Sequence, residues 1–298
     1  MAKALFFKFL CFALARLGFC LYLCSLKLEI VMAIPVIESV KAIEQQFYTG
    51  EEPVLVTCSD RNTYICKYMR SPAAAYKLVC ELIGAQMAMS WQLNTPEVAF
   101  VRIKPSHWSG IRTSHTILAP ALGSRRIDGV MDITPSTYRA VNTAESTLLQ
   151  LMKIALFDFW IANEDRNANN ANLLYDLVHE RLVSIDYGCI LNTASFDFPL
   201  SQLTSTDTIL WSDLFRFLAK GKKRMVFGAF IEVLKRAFQT WLNRSEKQVG
   251  YILNTLPIEW NVPTAIVENK LLQLFDEQWI SATWKNFVEC INENISNE

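Results

Sequence analysis

The feature that most constrains this chain is the stretch of residues 157–192, where an apolar helical run ends in a polar loop. The loop reads NEDRNANN over residues 163–170, and two short strand-like segments follow within residues 173–185. An Asp-Tyr-Gly triplet at 186–188 comes directly after the second segment. Two such segments in succession predict a hairpin. We expect this hairpin to fold the triplet back beside the polar loop.

Three polar side chains of this stretch, Asp165, Asn170 and Asp186, suit a site for magnesium and a nucleotide. Phosphoryl transfer needs a carboxylate near the attacking hydroxyl, oxygen ligands for Mg²⁺ and a cation on the phosphates. Mg²⁺ prefers oxygen ligands and usually takes one or two carboxylates with phosphate oxygens and water. The alternative is an Asn-rich loop that satisfies its own backbone, followed by an ordinary turn aspartate. The ordered pattern D-x-x-x-x-N and then D-x-G favours the functional interpretation.

A lysine and a glutamate upstream could supply the phosphate side of such a site. Residues 54–68 have the β-branched and aromatic content of a hairpin, and Lys67 stands near its end. A helix is predicted from Pro72 to about Leu93, and Glu81 falls on its apolar face. Because a buried unpaired carboxylate is costly, Lys67 is the predicted partner of Glu81. The alternative is an exposed strand lysine and a glutamate at the rim.

The remaining pattern alternates between short strands and helices. Residues 98–103 predict a strand, and residues 116–123 predict a second strand that leads into a Pro/Gly connector at the expected hinge. A helix starting near Asn142 delivers the chain to the polar loop. The C-terminal third shows helical spacing in four segments: 211–220, 226–243, 246–254 and 267–294.

Composition excludes several classes of protein. Of the 298 residues, 51% are hydrophobic and 19% are charged, which is typical of a globular chain able to form one large domain or two lobes. The formal net charge is zero and no long basic run is present, so direct nucleic-acid binding is not expected. The eight cysteines form no CxxC pair, which argues against structural zinc and favours buried thiols in a reducing cytoplasm.

Residues 1–31 are a strongly apolar N-terminal extension interrupted by Lys8 and Arg16. The longest uncharged run, residues 17–26, is too short for the roughly 20 residues that span a bilayer. A signal peptide and an amphipathic helix on a membrane surface are both open. We favour a third interpretation, in which Met32 is the native start, because the globular pattern begins just after it. Membrane association is expected only if residues 1–31 are present in the native protein.

Taken together, the polar loop, the Ile185-Asp186-Tyr187-Gly188 run and the strand lysine resemble the HipA-like kinase domain family. These are bacterial relatives of the HipA serine/threonine kinases, and the resemblance covers residues 36–192. It implies an α+β, two-lobed protein-kinase-like fold with a small β-rich N-lobe carrying one long helix and a larger helical C-lobe. We place the N-lobe at residues 32–123 and the C-lobe at residues 124–298.

The resemblance also implies roles for particular residues. Asp165 would be the catalytic base, Asn170 and Asp186 the Mg²⁺ ligands, and Lys67 the lysine that binds the phosphates of ATP, held by Glu81. Asn169 and Asn172 flank Asn170 and are the alternatives for the amide ligand. Gly50 is the one glycine in the candidate phosphate loop. The implied activity is transfer of the γ-phosphate of ATP to a hydroxyl, with a protein serine or threonine as the acceptor.

The phosphate loop departs from the family pattern, because Gly50 is followed by two acidic residues, Glu51 and Glu52. Negative charge at this position would repel a nucleotide. The polar loop also has Asn167 where a histidine is common, and Tyr187 replaces phenylalanine in the triplet. A nucleotide-binding pseudokinase or interaction module, with an antitoxin-like partner, is therefore the alternative function.

Overall fold

A computed structural model describes residues 33–109, 111 and 117–296. The chain from Pro35 onward forms one compact unit. The predicted apolar extension at residues 1–31 lies outside the described residues. None of the helices in the described part is long and apolar enough to cross a membrane.

The N-lobe is built on a six-stranded sheet whose strands follow the order β1-β5-β6-β4-β3-β2. β1 runs parallel to β5, and the other neighbours are antiparallel. Alternate strand residues such as Val54, Val56 and Cys66 are buried in one apolar cluster. The strands are β1 Val36–Glu38, β2 Gln45–Gln46, β3 Val54–Thr57, β4 Thr63–Lys67, β5 Val98–Arg102 and β6 Ala121–Arg125.

The predicted strand and connector at residues 116–123 are displaced in the structure. The strand is β6, which starts at Ala121 and continues to Arg125, so Gly123 lies inside the sheet and pairs with Cys66. A Cβ atom on Gly123 would lie 2.7 Å from Cγ2 of Val101, so the glycine permits close packing of side chains rather than a turn. The lobe boundary at residue 123 stays a prediction.

The long helix of the N-lobe is α1, Pro72–Ser90. Ser71 caps it by accepting a hydrogen bond from the backbone N–H of Ala74, and proline occupies the first turn, where its missing N–H costs nothing. The helix ends three residues before the predicted Leu93, because the chain turns at Gln92 with a left-handed φ of 55°.

The C-lobe begins with a three-stranded antiparallel sheet formed by β7 Val130–Asp132, β8 Leu173–Asp176 and β9 Arg181–Ser184. The helix α2, Glu145–Ile161, follows β7 and precedes β8 along the chain, and its last three turns are almost entirely buried. It stops at Ala162, which takes the left-handed conformation. The predicted hairpin is therefore β8–β9, and it joins the polar loop to the Asp-Tyr-Gly triplet.

After the triplet the chain makes a left-handed turn. Residues 191–194 have φ values between 55° and 59°, a conformation that costs roughly 1–2 kcal/mol for each residue that carries a Cβ atom. Glu164 of the polar loop offsets part of this cost, since its carboxylate accepts hydrogen bonds from Asn192 at 2.8 Å and Thr193 at 2.6 Å. The polar loop thereby fixes the path of the segment that follows the triplet.

The remaining helices are α3 Asp213–Ala219, α4 Arg224–Thr255, α5 Thr264–Gln273 and α6 Glu277–Ser296. Two predictions were wrong here. The segments 226–243 and 246–254 form one helix, because Ser245 is buried and its hydroxyl bonds to that of Ser90 at 2.6 Å. The segment 267–294 is two helices, because the Asp276 carboxylate accepts the N–H groups of Gln278 and Trp279 and starts a new helix.

Candidate functional site

The site is centred on the Lys67 ammonium at the end of β4, which three carboxylates approach. Lys67 forms an ion pair with Glu81 of α1, as expected from the sequence. Its Nζ atom also lies 2.8 Å from Oδ1 of Asp186 and 2.8 Å from Oε2 of Glu51. These residues come from a strand, a helix, the triplet and the phosphate-loop turn. The fold therefore brings side chains from four separate parts of the chain into one cluster.

Burial and charge act on the pKa values of these groups in opposite directions. Burial raises the pKa of Glu81 to about 7, and the charge of Asp186 adds to this rise while Lys67 opposes it. Burial also disfavours the charged forms of Lys67 and Asp186. The carboxylates nevertheless hold the pKa of Lys67 well above its usual range, and Lys67 holds the pKa of Asp186 below its usual range. The proton that this cluster carries near neutral pH is therefore assigned to Glu81.

The triplet is held against α1 by its tyrosine. Tyr187 is 2% exposed, and a Cβ atom on Gly84 would lie only 2.2 Å from the Cβ of Tyr187. The phenol donates a hydrogen bond to Oγ of Ser184 at 2.9 Å, and the Tyr187 backbone N–H donates to Glu81 at 3.0 Å. Asp186 itself has a left-handed φ of 58°. This packing points the Asp186 carboxylate at Lys67.

The polar loop presents Asp165 on two asparagine side chains. Its Oδ2 atom accepts hydrogen bonds from Nδ2 of Asn170 at 3.0 Å and from Nδ2 of Asn172 at 2.8 Å. Because Asn170 uses its amide nitrogen to contact Asp165, its amide oxygen, the atom that could bind a metal, takes no part in this hydrogen bond. The sequence interpretation named Asn172 as an alternative metal ligand but did not predict its hydrogen bond to Asp165.

Arg166 ties the polar loop to the triplet, a role that the sequence did not reveal. Its buried guanidinium forms an ion pair with Asp158 of α2 and donates to the carbonyl oxygen of Ile185 at 2.9 Å. The same group lies 5.4 Å from the centre of the Tyr187 ring, within cation–π distance. A charged residue directly after a candidate catalytic aspartate is the only signal that could have indicated this role.

A cavity of about 500 Å³ opens beside Lys67, a size suited to a small molecule or cofactor. Its lining includes apolar side chains from both lobes, among them Leu55 and Leu122 of the N-lobe and Leu174 and Ile185 of the C-lobe. It also includes four charged side chains: Arg125, Arg126, Asp128 and Asp132. Lys67, Glu81 and Asp186 line its polar end. Asp165, Asn170 and Gly50 are not among the residues that line it. The cavity therefore combines apolar side chains, which suit a flat ring, with the cation and carboxylates of the Lys67 cluster.

The phosphate-loop turn differs from a glycine-rich loop. A Cβ atom on Gly50 would have no neighbour within 4 Å, so this glycine is not needed for a close approach. Glu51, the next residue, reaches into the site, where its second carboxylate oxygen lies 3.2 Å from Nζ of Lys77. The sequence interpretation placed Glu51 in the phosphate loop but did not pair it with Lys67, and it did not single out Lys77. Charges on turns and helix surfaces carry no periodic signal.

The donor set fits a magnesium nucleotide better than a metal held by the protein alone. Among the described residues, no group of three or more histidine, cysteine, aspartate or glutamate side chains is arranged to hold a metal ion. Asp186 offers a 41% exposed carboxylate facing the cavity, and Lys67 offers a cation beside it. Because Mg²⁺ usually keeps phosphate oxygens and water among its ligands, one or two carboxylates from the protein are sufficient.

In this site a strand lysine pairs with a helix glutamate. Two loops carry an aspartate–asparagine pair and an aspartate–glycine triplet. This combination defines a protein-kinase-like fold. The model of the HipA-like kinase family matches residues 40–278. The chain therefore belongs to the HipA-like kinase family, which confirms the resemblance drawn from the sequence.

Solved structures support the fold. The chain is similar to the proinflammatory kinase CtkA of Helicobacter pylori, with a TM-score of 0.52, 14% sequence identity, and coverage of 86% of this chain and 99% of that one. CtTel1 in its open conformation also matches, with 12% identity over 82% of this chain and 11% of that one, but its TM-score of 0.24 is too low to bear on the fold. No curated protein matches the chain. The predicted α+β, two-lobed kinase-like fold is confirmed.

Proposed function

We propose that this protein is a kinase that transfers the γ-phosphate of ATP, with Mg²⁺, to a serine or threonine hydroxyl of a protein substrate. The observation that carries the proposal is the convergence of Lys67, Glu81 and Asp186 at the polar end of a cavity of about 500 Å³. The apolar side chains that line part of this cavity suit the adenine ring. The cation and the metal-binding carboxylate stand where its phosphates would lie.

In this proposal each residue has one task. Lys67 binds phosphate oxygens and is held in place by Glu81, while Asp186 and the amide oxygen of Asn170 bind Mg²⁺. When bound, the metal neutralises charge on the phosphates. Asp165 accepts the proton of the attacking hydroxyl, and its two asparagine partners fix the direction of its carboxylate. The chain's contribution is thus positioning and charge, as phosphoryl transfer requires.

Transfer of label from γ-labelled ATP to the protein itself or to a general protein acceptor tests the proposal. We expect transfer by the wild-type chain, and a loss of at least about 100-fold in Asp165→Ala and in Asp186→Asn, because a positioned base and a metal ligand are removed. Asp213→Asn serves as a matched control, since Asp213 is exposed and, among the described residues, forms its ion pair with Arg216 in its own helix. Equal transfer by wild type and both site variants would refute the assignment.

The second candidate, a pseudokinase that acts by binding, is favoured by one observation. The Glu51 carboxylate already occupies Lys67 on the side where a phosphate would arrive. A thermal-shift measurement separates the two candidates, since a bound ligand stabilises the folded state. A rise in melting temperature with ATP and Mg²⁺, together with label transfer, supports the kinase. A rise without label transfer supports the pseudokinase.

A further inference from the structure

Three carboxylates surround the Lys67 ammonium in this structure, Glu81 and Asp186 as hydrogen-bond acceptors and Glu51 as an ion-pair partner. A lysine ammonium has three N–H groups. One contact goes to Glu81, one to Asp186 at 2.8 Å and one to Glu51 at 2.8 Å. A phosphate oxygen can therefore take a hydrogen bond from Lys67 only after one carboxylate has moved away.

Glu51 is the carboxylate that can move most easily. Glu81 is only 6% exposed and is also fixed by the backbone N–H of Tyr187. Asp186 is held by the packing of the tyrosine beside it. Glu51 belongs instead to a tight turn closed by the bond from Glu52 N–H to the Thr49 carbonyl oxygen. Open space surrounds the neighbouring glycine of that turn, so little packing has to be broken for it to swing outward.

The Glu51 carboxylate also marks an anion position between two cations. One oxygen lies 2.8 Å from Lys67 and the other 3.2 Å from Lys77, which stands on the second turn of α1. Two ammonium groups from different elements thus converge on one small anionic group. A phosphate group is anionic like the Glu51 carboxylate and has a comparable size, so the same two lysines can bind it.

We propose that this position is a phosphate subsite, that Lys77 is a second phosphate-binding cation beside Lys67, and that Glu51 is an internal occupant displaced by the nucleotide. This inference rests on the proposed function and extends it by two residues. On binding, the turn carrying Glu51 withdraws and both lysines pass from the carboxylate to the phosphate.

Charge balance supports the exchange. Two lysines face three carboxylates, of which Glu81 carries a proton, so positive and negative charges are already balanced before a nucleotide enters. Adding a phosphate beside Glu51 would place like charges in contact, whereas replacing Glu51 keeps each lysine paired. Burial alone would lower the pKa of Lys77, but the charge of Glu51 raises it above its usual value, which shows how closely the two are coupled.

Binding of ATP with Mg²⁺, measured by titration calorimetry, tests the role of Glu51. We expect Glu51→Gln to bind the nucleotide about three- to tenfold more tightly than wild type, because no ion pair has to be broken. Glu52→Gln is the matched control on the same turn, since Glu52 pairs with Arg70 and Gln46 rather than with Lys67. The control is expected to bind like wild type. Glu51→Ala repeats the test with a different side chain.

The role of Lys77 is tested in the Glu51→Gln background. If Lys77 binds phosphate, adding Lys77→Met weakens nucleotide binding about three- to tenfold there. If Lys77 only holds Glu51, the substitution changes nothing once Glu51 is neutral, and the assignment is overturned. Lys41→Met is the control, because Lys41 is exposed and pairs with Glu44 outside the site.

The outcomes separate this inference from the proposed function. Equal affinities of wild type, Glu51→Gln and Glu51→Ala, all measurable, would overturn the displacement of Glu51 and leave the kinase proposal standing. Absence of nucleotide binding in every folded variant would overturn both. Far-UV circular dichroism of each variant establishes that it is folded.

Discussion

At the scale of single residues, the site is a cluster in which the Lys67 ammonium contacts three carboxylates. Removing a carboxylate from water disfavours its charged form, and nearby like charges add to the effect. Glu81 is the most deeply buried of the three, so burial and the charge of Asp186 raise its pKa to about 7 despite the contact with Lys67. A proton held between Glu81 and Asp186 reduces the repulsion within the cluster.

This assignment predicts a pH-dependent stability. The folded chain keeps a proton on Glu81 that the unfolded chain releases above its ordinary pKa of 4.5, so the free energy of unfolding falls as pH rises from about 4.5 to about 7. Lys67 and Asp186 titrate outside this window, because their pKa values move up and down respectively. Relative to Glu81→Gln, we expect wild type to lose about 1–3 kcal/mol between pH 5 and pH 8.

Urea unfolding at both pH values measures the difference. Glu289→Gln is the surface control, since Glu289 is 56% exposed and forms an ion pair with Lys285 one helical turn away. Its difference from wild type should stay constant with pH. A constant difference for Glu81→Gln as well would show that Glu81 is ionised throughout, with Lys67 outweighing burial.

At the scale of elements, the contact between α1 and the triplet sets the position of Asp186. Tyr187 lies directly on Gly84, and a methyl group at that position would overlap its side chain. We expect Gly84→Ala to cost about 1–3 kcal/mol of stability and to weaken nucleotide binding, because Tyr187 must shift and carries Asp186 with it. Chemical denaturation and calorimetry provide the two measurements.

Gly228→Ala is the matched control for this substitution. Gly228 also lies inside a helix, α4, but a Cβ atom there would meet nothing within 4 Å. Alanine should therefore stabilise that helix by up to about 1 kcal/mol. If both alanine variants were stabilised, the close packing of Tyr187 on α1 would be refuted.

The same scale shows which parts of the molecule the sequence could predict. The hairpin β3–β4 and the helix α1 have strong periodic patterns, and the demand that a buried Glu81 find a partner led directly to Lys67. Glu51 and Lys77 could not be predicted, because their contacts depend on how a short turn folds back over the sheet. The continuity of α4 was hidden for a similar reason, since Ser245 at its centre finds its partner, Ser90, on α1.

At the scale of the whole molecule, an aromatic cluster joins the helix of the N-lobe to the helices of the C-lobe. Trp91, just after α1, is fully buried and stacks between Trp160 of α2 and Trp241 of α4, with ring centres 5.2 and 5.1 Å away. The indole N–H of Trp260 also donates a hydrogen bond to the carbonyl oxygen of Pro120 at 2.8 Å. The sheet that carries Lys67 is therefore anchored to the lobe that carries Asp165.

This architecture predicts that the two lobes unfold together. Unfolding followed by tryptophan fluorescence and by far-UV circular dichroism should give coincident transitions in wild type. Trp91→Ala should cost about 3–5 kcal/mol and shift both transitions equally, because it empties the centre of the shared cluster. Trp108→Ala is the control, since Trp108 is half-buried and packs on Tyr68 within the N-lobe, and its cost should be smaller. Separate transitions in wild type, or a shift in one probe alone, would show that each lobe is stable by itself.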